Sequence, residues 1–365
     1  MQSIQISRLN SAPFGAIVEE FDCASATEES IRQLQSALQQ YQLLLFPNQQ
    51  HLLPAQEVQF YRSVNPDADS IWRDQVSNPW ERFKVEQGNA AGTYQIPKEP
   101  GVLVLGKGKI DHFGLQVILG GDRSAYGEDE GSQVLGGGAL QWHIDGTFYD
   151  QEPCLFTQMR CIEAPTGSGQ WLDYNDGSNG KIWCEAGSTA FASGRIAFDA
   201  LDSETQKQTL DVRVHYLSNP FQSTYHLGNT DNGLRVIDAP TEHRHSDNPG
   251  IPVSPSEDPK AKNYPLIWTC PLTGKKALMP HPRCMDHLEI VSSGEHLTTT
   301  VSRQMTEEVM RPGIEPDLVY VHPWAAGDLV IWDNRSIWHS ATGKLSPEDR
   351  RIQHLTAFNS VSPPS

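Results

Sequence analysis

The sequence predicts a mainly β protein with flanking helices (α+β), and three observations lead to this class. Its 29 glycines and 25 prolines make up about 15 % of the 365 residues, against a usual share of about 12 %. Its apolar runs are short and end at turn residues, as in Leu43–Phe46 followed by Pro47. Signals for helix starts occur in only four segments. Short strands joined by turns therefore account for most of the chain.

The first part of the chain alternates short strands with two helices. Residues 4–22 predict short strands interrupted by a proline and a glycine. Thr27 is expected to cap a helix, because acidic residues fill the next turn and apolar residues then recur at helical spacing. Leu43–Phe46 predicts a buried strand, and Pro54 is expected to begin the second helix.

Two polar, turn-rich stretches are expected to be loops. Segment 120–138 is rich in glycine and acidic residues, and segment 241–263 contains four prolines and is interpreted as an insertion. The other predicted elements are strands at 102–105, 155–161, 265–270 and 329–332 and helices at 193–201 and 203–210.

Charge and cysteine content limit the class of protein. The 28 basic and 45 acidic residues give a net charge of −17, which argues against nucleic-acid and anionic-membrane partners because both require a basic face. The six cysteines have no regular spacing, which is typical of reduced thiols. No signal-peptide pattern and no apolar stretch of about 20 residues occurs. We therefore expect a cytoplasmic protein that acts on a small molecule, with homo-oligomer formation left open.

A histidine and an aspartate two residues apart form the first candidate for chemistry. His143 and Asp145 lie in the segment QWHIDG, which has β character. Alternate residues of a strand share a face, so both side chains can point at one metal ion. This pair alone is weak evidence for a metal site, and a segment near the C-terminus strengthens that hypothesis.

The C-terminal segment supplies a third ligand and an arginine. The motif GDLVIWDNR is followed by His339, and Arg351 begins the strand-like RIQHLT. Two histidines and one carboxylate on one side of an octahedral ion leave three adjacent positions open, as non-haem Fe(II) oxygenases require. An arginine provides the planar donor fork that grips a carboxylate.

These motifs resemble the taurine dioxygenase (TauD/TfdA) superfamily of Fe(II)- and 2-oxoglutarate-dependent dioxygenases. The likeness is strongest to its xanthine dioxygenase group, over most of residues 100–360, through WHID, GSTAFASG, PLTG and VYVH. It implies one domain over 1–365 with a double-stranded β-helix (jelly roll). It also implies Fe(II) bound by His143, Asp145 and His339, with O2 as oxidant and the 2-oxoglutarate carboxylate held by Arg351.

The neighbouring Arg350 is expected to point to the opposite face, as a surface ion-pair partner. Two departures from the family pattern concern the ligands. Trp171 stands where many members have a threonine that helps to hold 2-oxoglutarate. The positions that face a purine in the xanthine enzymes are apolar or empty here, at Leu355, Ala357 and residues 120–121.

The expected reaction is oxidation of a small molecule, by hydroxylation or by desaturation or cyclisation, with release of succinate and CO2. We expect Gln141, Tyr149, Gln353, Leu355 and Ala357 to line the substrate pocket. Such a wall would leave xanthine's ring donors and acceptors unpaired, at about 1–3 kcal/mol each. The expected substrate is therefore partly aliphatic, such as a small amino acid or specialised metabolite.

Three alternatives remain open at this point. The first is a xanthine dioxygenase of purine catabolism. The second is a zinc hydrolase with the same three ligands, since zinc accepts two histidines and a carboxylate. The third is a non-catalytic jelly-roll binding protein. The presence of Arg351 favours the oxygenase, because a hydrolase does not need an arginine that binds a 2-oxo acid.

Overall fold

A computed structural model describes residues 4–71, 93–119, 140–146, 152–217, 227–238, 262–270, 273–342, 345–346 and 348–365. The chain is rich in strands, with several helices, as the sequence predicts. The predicted loop at 120–138 and nearly all of the insertion at 241–263 lie outside the described residues.

The strands are named in chain order. They are β1 (Gln5–Arg8), β2 (Ala16–Glu19), β3 (Leu43–Phe46), β4 (Ala68–Ile71), β5 (Thr93–Ile96), β6 (Glu99–His112), β7 (Leu115–Leu119), β8 (Phe156–Glu163), β9 (Gln170–Asp173), β10 (Lys181–Cys184), β11 (Thr189–Ser193), β12 (Val212–Tyr216), β13 (Leu227–Asn229), β14 (Val236–Asp238), β15 (Asn263–Pro265), β16 (Ile267–Thr269), β17 (Lys276–Leu278), β18 (Met285–Ile290), β19 (Glu295–His296), β20 (Tyr320–His322), β21 (Leu329–Asp333), β22 (Ile337–Ala341), β23 (Arg351–Thr356) and β24 (Phe358–Ser360).

Four of the α-helices in the described residues begin where the sequence predicts them, and the fifth, Thr299–Met310, was not predicted. In the described residues they are α1 (Glu28–Tyr41), α2 (Pro54–Val64), α3 (Gly194–Ala200), α4 (Ser203–Thr209) and α5 (Thr299–Met310). Thr27 and Ser30 form a reciprocal capping box at the start of α1, and Ser193 accepts a hydrogen bond from the backbone of Ile196 at the start of α3. The predictions for α1 to α4 are thus confirmed.

The largest sheet runs β1-β2-β3-β21-β8-β23-β6-β5, with β7 paired to β6. Its strands β3 and β21 are buried on both faces, which explains their uninterrupted apolar runs. On one face, Leu44 and Ile331 pack in a cluster with apolar residues of α1 and α2. On the other, Leu45 and Trp332 pack with residues of other strands. The sheet is therefore a layer between the helices and a second set of strands.

The second layer contains a three-stranded sheet, β20-β11-β22, and a four-stranded sheet, β15-β12-β18-β19. Phe191 of β11 and Ile337 of β22 join the cluster that covers the inner face of the large sheet. The ring centroid of Phe191 lies 5.2 Å from that of Trp332, which is on the large sheet. β22, which carries His339, is thereby fixed against the large sheet.

Two predicted strands differ in extent from the structure. The predicted strand at 102–105 is the centre of β6, which continues to His112 because β7 pairs with its second half. The predicted strand at 265–270 is split into β15 and β16, which pair with different partners, β12 and β17. Within the described part of the chain, no helix has the length and apolar character needed to cross a membrane.

Candidate active site

His143 is held against β22 by a single pair of backbone hydrogen bonds. The amides and carbonyls of His143 and His339 exchange two bonds of 3.0 Å each, as an isolated bridge. The expected strand around His143 and Asp145 is therefore wrong, since Asp145 opens a turn that continues through Gly146 at φ +90°. The two side chains still converge, because other contacts fix Asp145.

The backbone and the carboxylate of Asp145 are each fixed by a buried side chain. The Asp145 N–H donates to Asn334 Oδ1 at 2.9 Å, and Asn334 Nδ2 donates to the Asp145 carbonyl at 3.0 Å. The hydroxyl of Thr157, on β8, donates to Asp145 Oδ2 at 2.9 Å. Both partners are fully buried. They replace the strand pairing that Asp145 lacks and orient its carboxylate.

The two histidines present their imidazoles to the same point. His143 Nδ1 lies 2.8 Å from the carbonyl oxygen of Gln141 and donates to it, which leaves Nε2 with its lone pair. Burial, followed by the neighbouring imidazoles of His143 and His281, holds the pKa of His339 well below its usual value. Both rings can therefore offer a nitrogen atom to a metal ion.

The three side chains form a group with the geometry of a metal site. Ligand atoms of His143, Asp145 and His339 all lie within 4.8 Å of one another. His339 Nε2 lies 3.7 Å from Asp145 Oδ2, and the ring centroids of the two histidines are 4.0 Å apart. Two imidazoles and one carboxylate suit a divalent ion such as Fe(II), so the residues present fit the predicted metal.

A third histidine lies beside this group. His281 is buried, and its ring centroid is 6.0 Å from that of His143. Burial lowers its pKa well below the usual value, and the positive fields of His143 and Arg283 add to that effect. Its distance from His143 makes His281 a neighbour of the site.

Arg351 begins β23 and is buried, with 1 % of its surface exposed. Its Nε donates to the carbonyl oxygen of Gly187 at 3.0 Å, and its Nη1 has no hydrogen-bond partner in the part of the chain that the structure describes. Burial lowers its pKa to about 10. At neutral pH, Arg351 is therefore a buried cation, and one of its donor groups has no acceptor among the described residues.

Glycine is required where Arg351 meets its neighbouring loop. A Cβ on Gly187 would lie 2.9 Å from Arg351 Cδ and 2.8 Å from Pro165 Cγ, and the φ of Gly187 is +66°. A larger residue there would be strained and would displace the guanidinium. Gly187, in the segment GSTAFASG, therefore leaves the space that the Arg351 side chain occupies.

The residues predicted to follow Arg351 on the inner face are all buried. Leu355 and Ala357 pack in the inner cluster with Met159 and Trp332. Gln353, between Arg351 and Leu355, is 0 % exposed, and neither its Oε1 nor its Nε2 has a partner among the described residues. After Arg351, the inner face of the chain is therefore apolar, apart from the Gln353 amide, which has no hydrogen-bond partner among the described residues.

The other predicted ligand-binding residues lie elsewhere or are not described. Gln141 has an exposed side chain, and its backbone N–H donates to Ser340 Oγ at 2.8 Å. Tyr149 lies outside the described residues. Trp171 is on β9 with 54 % of its surface exposed, and its ring contacts Trp183 and Lys181. Its role in holding 2-oxoglutarate stays a prediction.

Sequence reasoning missed how the corner after β21 supports the site. In this corner, Asp333 pairs with the buried Arg195 at 2.8 Å. The bonds from Asn334 to Asp145 had no signal beyond the motif GDLVIWDNR itself. Arg335 donates to the carbonyl oxygens of Pro153 and Ser362.

The comparisons with known proteins agree with this geometry. The chain belongs to the family described as taurine catabolism dioxygenase TauD, TfdA family, which matches residues 6–357. It is therefore a dioxygenase that depends on Fe(II) and 2-oxoglutarate and consumes O2. Membership in this family removes the zinc hydrolase and the non-catalytic binding protein from consideration.

The chain is similar to two curated fungal relatives and to a solved structure. It is 30 % identical to the alpha-ketoglutarate-dependent xanthine dioxygenase xan1 of Schizosaccharomyces pombe, over 96 % of this chain and 86 % of the relative. It is 27 % identical to the xanthine dioxygenase xanA of Emericella nidulans, over 93 % and 90 %. The crystal structure of AAD-2 with Mn(II) and N-oxalylglycine matches over 100 % of both chains, at TM-score 0.61 and 18 % identity, which shows the fold alone.

Proposed function

We propose that this enzyme oxidises a small, partly aliphatic molecule, with His143, Asp145 and His339 as its iron ligands and Arg351 as its clasp for 2-oxoglutarate. We further propose a single domain in which the two layers of strands form a double-stranded β-helix, with an insertion at 241–263. Bound iron would supply the centre at which O2 is reduced at the expense of 2-oxoglutarate, yielding succinate and CO2.

The observation that carries the proposal is the unpaired donor of Arg351. A guanidinium buried in an apolar interior is costly unless an anion or several acceptors satisfy it. Gly187 supplies one acceptor, and Nη1 has none among the described residues. The distal carboxylate of 2-oxoglutarate has the charge and the planar shape that a guanidinium fork binds.

The surrounding side chains would position the reactants and exclude water. Asn334 holds the backbone of Asp145, and Thr157 holds its carboxylate. Gly187 allows Arg351 to lie close to the loop that precedes β11. Leu355 and Ala357 would keep water from the space between the arginine and the ligands, which strengthens the electrostatic attraction between Arg351 and its anion.

Replacing Arg351 with lysine tests the clasp. Lysine keeps the charge and loses the planar fork, and a charge-assisted hydrogen bond contributes about 1.5–3 kcal/mol. We therefore expect the KM for 2-oxoglutarate to rise by roughly 10- to 100-fold, measured as succinate release at saturating Fe(II).

The adjacent Arg350 offers a matched control. It is exposed and pairs with Glu163 at 2.9 Å, as predicted for the outward-facing arginine. Arg350→Lys is expected to leave the KM for 2-oxoglutarate unchanged. A wild-type KM in Arg351→Lys would refute the role assigned to Arg351.

The proposed substrate differs from that of the xanthine dioxygenase relatives because of the pocket wall. Leu355 and Ala357 offer no hydrogen bonds, and the amide of Gln353 can satisfy only one or two polar groups. Purine rings carry more donors and acceptors than that. A molecule with one polar group beside an aliphatic part would leave fewer polar groups unpaired against these side chains than a purine would.

A panel of substrates distinguishes the two hypotheses, a partly aliphatic substrate and xanthine. With Fe(II) and 2-oxoglutarate supplied, we expect substrate-stimulated succinate release with a small amino acid or a similar partly aliphatic metabolite to exceed that with xanthine. Each unpaired polar group on xanthine costs about 1–3 kcal/mol, or roughly 5- to 150-fold in kcat/KM. Rapid xanthine consumption would support the alternative, a xanthine dioxygenase, which the similarity to two such relatives favours.

A further inference from the structure

A second histidine cluster lies on the four-stranded sheet, apart from the iron ligands. His215 on β12, His287 on β18 and His296 on β19 each offer a ligand nitrogen, and these nitrogens all lie within 4.8 Å of one another. We propose that this cluster is a second metal site, which binds a divalent transition-metal ion such as Zn²⁺.

The strand register explains why the three histidines meet. His215 is directly opposite His287, and His296 is directly opposite Glu289. His287 and Glu289 are two residues apart on β18 and therefore share a face. Four side chains with metal-binding atoms thus occupy adjacent positions on one face of the sheet: His215, His287, Glu289 and His296.

Glu289 lies beside the three histidines. Its Oε2 lies 2.7 Å from His215 Nε2, and both side chains are 22 % exposed. Three imidazoles are a ligand set that zinc accepts in tetrahedral geometry, with a water molecule in the fourth position. The cluster contains no thiol, so the site would favour zinc and similar ions over soft ones.

Asp286 orients the central histidine as an outer partner of a metal ligand does. β18 has an extra residue, Asp286, where the register with β12 shifts, and its Oδ2 lies 2.9 Å from His287 Nδ1. This bond fixes the ring so that Nε2 points at His296 Nδ1, 2.8 Å away. A carboxylate on one nitrogen of a histidine with the other directed at the ion is the usual arrangement at zinc sites.

Only a small adjustment would admit the ion. Nitrogens bound to one tetrahedral zinc at 2.0–2.1 Å lie about 3.4 Å apart, so His287 and His296 must separate by roughly 0.6 Å. His296 is exposed and belongs to the two-residue strand β19, so it can make this movement. The nearby Arg213 is engaged by the side-chain oxygen of Asn263 at 2.8 Å.

The cluster is distinct from the iron ligands because it lies on the other face of its sheet. Val214 and Tyr216 of β12 alternate with His215 and are buried in the core. The hydroxyl of Tyr216 accepts a hydrogen bond from the backbone of His281, the residue beside His143. The sheet therefore separates the histidine cluster from the candidate active site.

Metal stoichiometry of the tag-free full chain tests the inference. After incubation with Zn²⁺ and dialysis, we expect elemental analysis to give two equivalents for the wild type. We expect one equivalent for His287→Ala and for the exposed variant His296→Ala, and one for His143→Ala. Co²⁺ bound to His143→Ala should give the visible absorption bands of a four-coordinate ion. Asp286→Asn should weaken zinc binding by about 10- to 100-fold, as loss of an outer partner does.

Controls separate this site from the iron site. His51 is an exposed histidine paired only with Asp22 among the described ion pairs, and His51→Ala should keep both equivalents. His296→Ala should keep the wild-type rate of 2-oxoglutarate consumption. Retention of two equivalents in both His287→Ala and His296→Ala, or no zinc in His143→Ala, would overturn the inference.

Discussion

Asp145→Ala is expected to reduce 2-oxoglutarate consumption by more than about 100-fold at saturating Fe(II), since loss of outer partners alone costs about 10- to 100-fold at metal sites. Asp145 is the only carboxylate in the group with His143 and His339. Its removal would take away the negative charge that balances a divalent ion beside the two imidazoles. Iron content and succinate release, measured on the same sample, would show both losses together.

A graded series makes this result specific. Asn334→Ala removes the bonds that fix the backbone of Asp145, and Thr157→Val removes the bond to its carboxylate, so a loss of about 10- to 100-fold is expected from each. Asp173→Ala, an exposed aspartate on β9, should have wild-type activity. Iron-dependent turnover that survives in Asp145→Ala would contradict the assignment of the three ligands.

Features with a local signal could be predicted from the sequence. The capping box at Thr27 and the cap at Ser193 involve residues three positions apart, so the sequence alone contains both partners. The alternation along β23 likewise predicts opposite environments for adjacent arginines. Arg350 is exposed beside Glu163, whereas Arg351 is buried.

Contacts between distant segments could not be predicted in this way. Asn334 and Asp145 are 189 positions apart, and no local pattern indicates that an amide replaces strand pairing at Asp145. The histidine cluster could not be predicted for the same reason, because His215 and His287 meet only through the pairing of β12 with β18. Sequence spacing found the HxD pair and its distant histidine, and the register of the sheets determined the rest.

A buried ionic network joins α2 to the large sheet on the side away from the active site. Glu57 Oε1 lies 2.6 Å from Arg160 Nη2 and 2.7 Å from His354 Nδ1, and the three side chains are at most 3 % exposed. Arg160 also donates to the backbone carbonyl oxygens of Gln49 and Leu52. Glu57 thus fixes α2 against β8 and β23.

Protonation of Glu57 would weaken this network. Burial raises the pKa of Glu57, and its interactions with His354 and Arg160 more than offset that effect, so the net pKa is lowered. A carboxyl whose pKa is lower in the folded state stabilises the fold above its unfolded pKa, about 4.3 for glutamate. That contribution is lost as the pH falls, so stability should decline below about pH 4.

Glu57→Ala is expected to lower the free energy of unfolding by about 3–5 kcal/mol, because it leaves the Arg160 guanidinium buried without its anion. Chemical denaturation followed by tryptophan fluorescence would measure the loss. Glu163→Ala, which breaks the exposed pair between β8 and Arg350 just before β23, should cost only about 0.2–1 kcal/mol. Replacing Glu57 with leucine and Arg160 with methionine together should recover part of the stability, since no buried charge is then left unpaired while the carbonyl oxygens of Gln49 and Leu52 lose their donor. Equal losses in Glu57→Ala and Glu163→Ala would show that the network contributes no more than a surface ion pair.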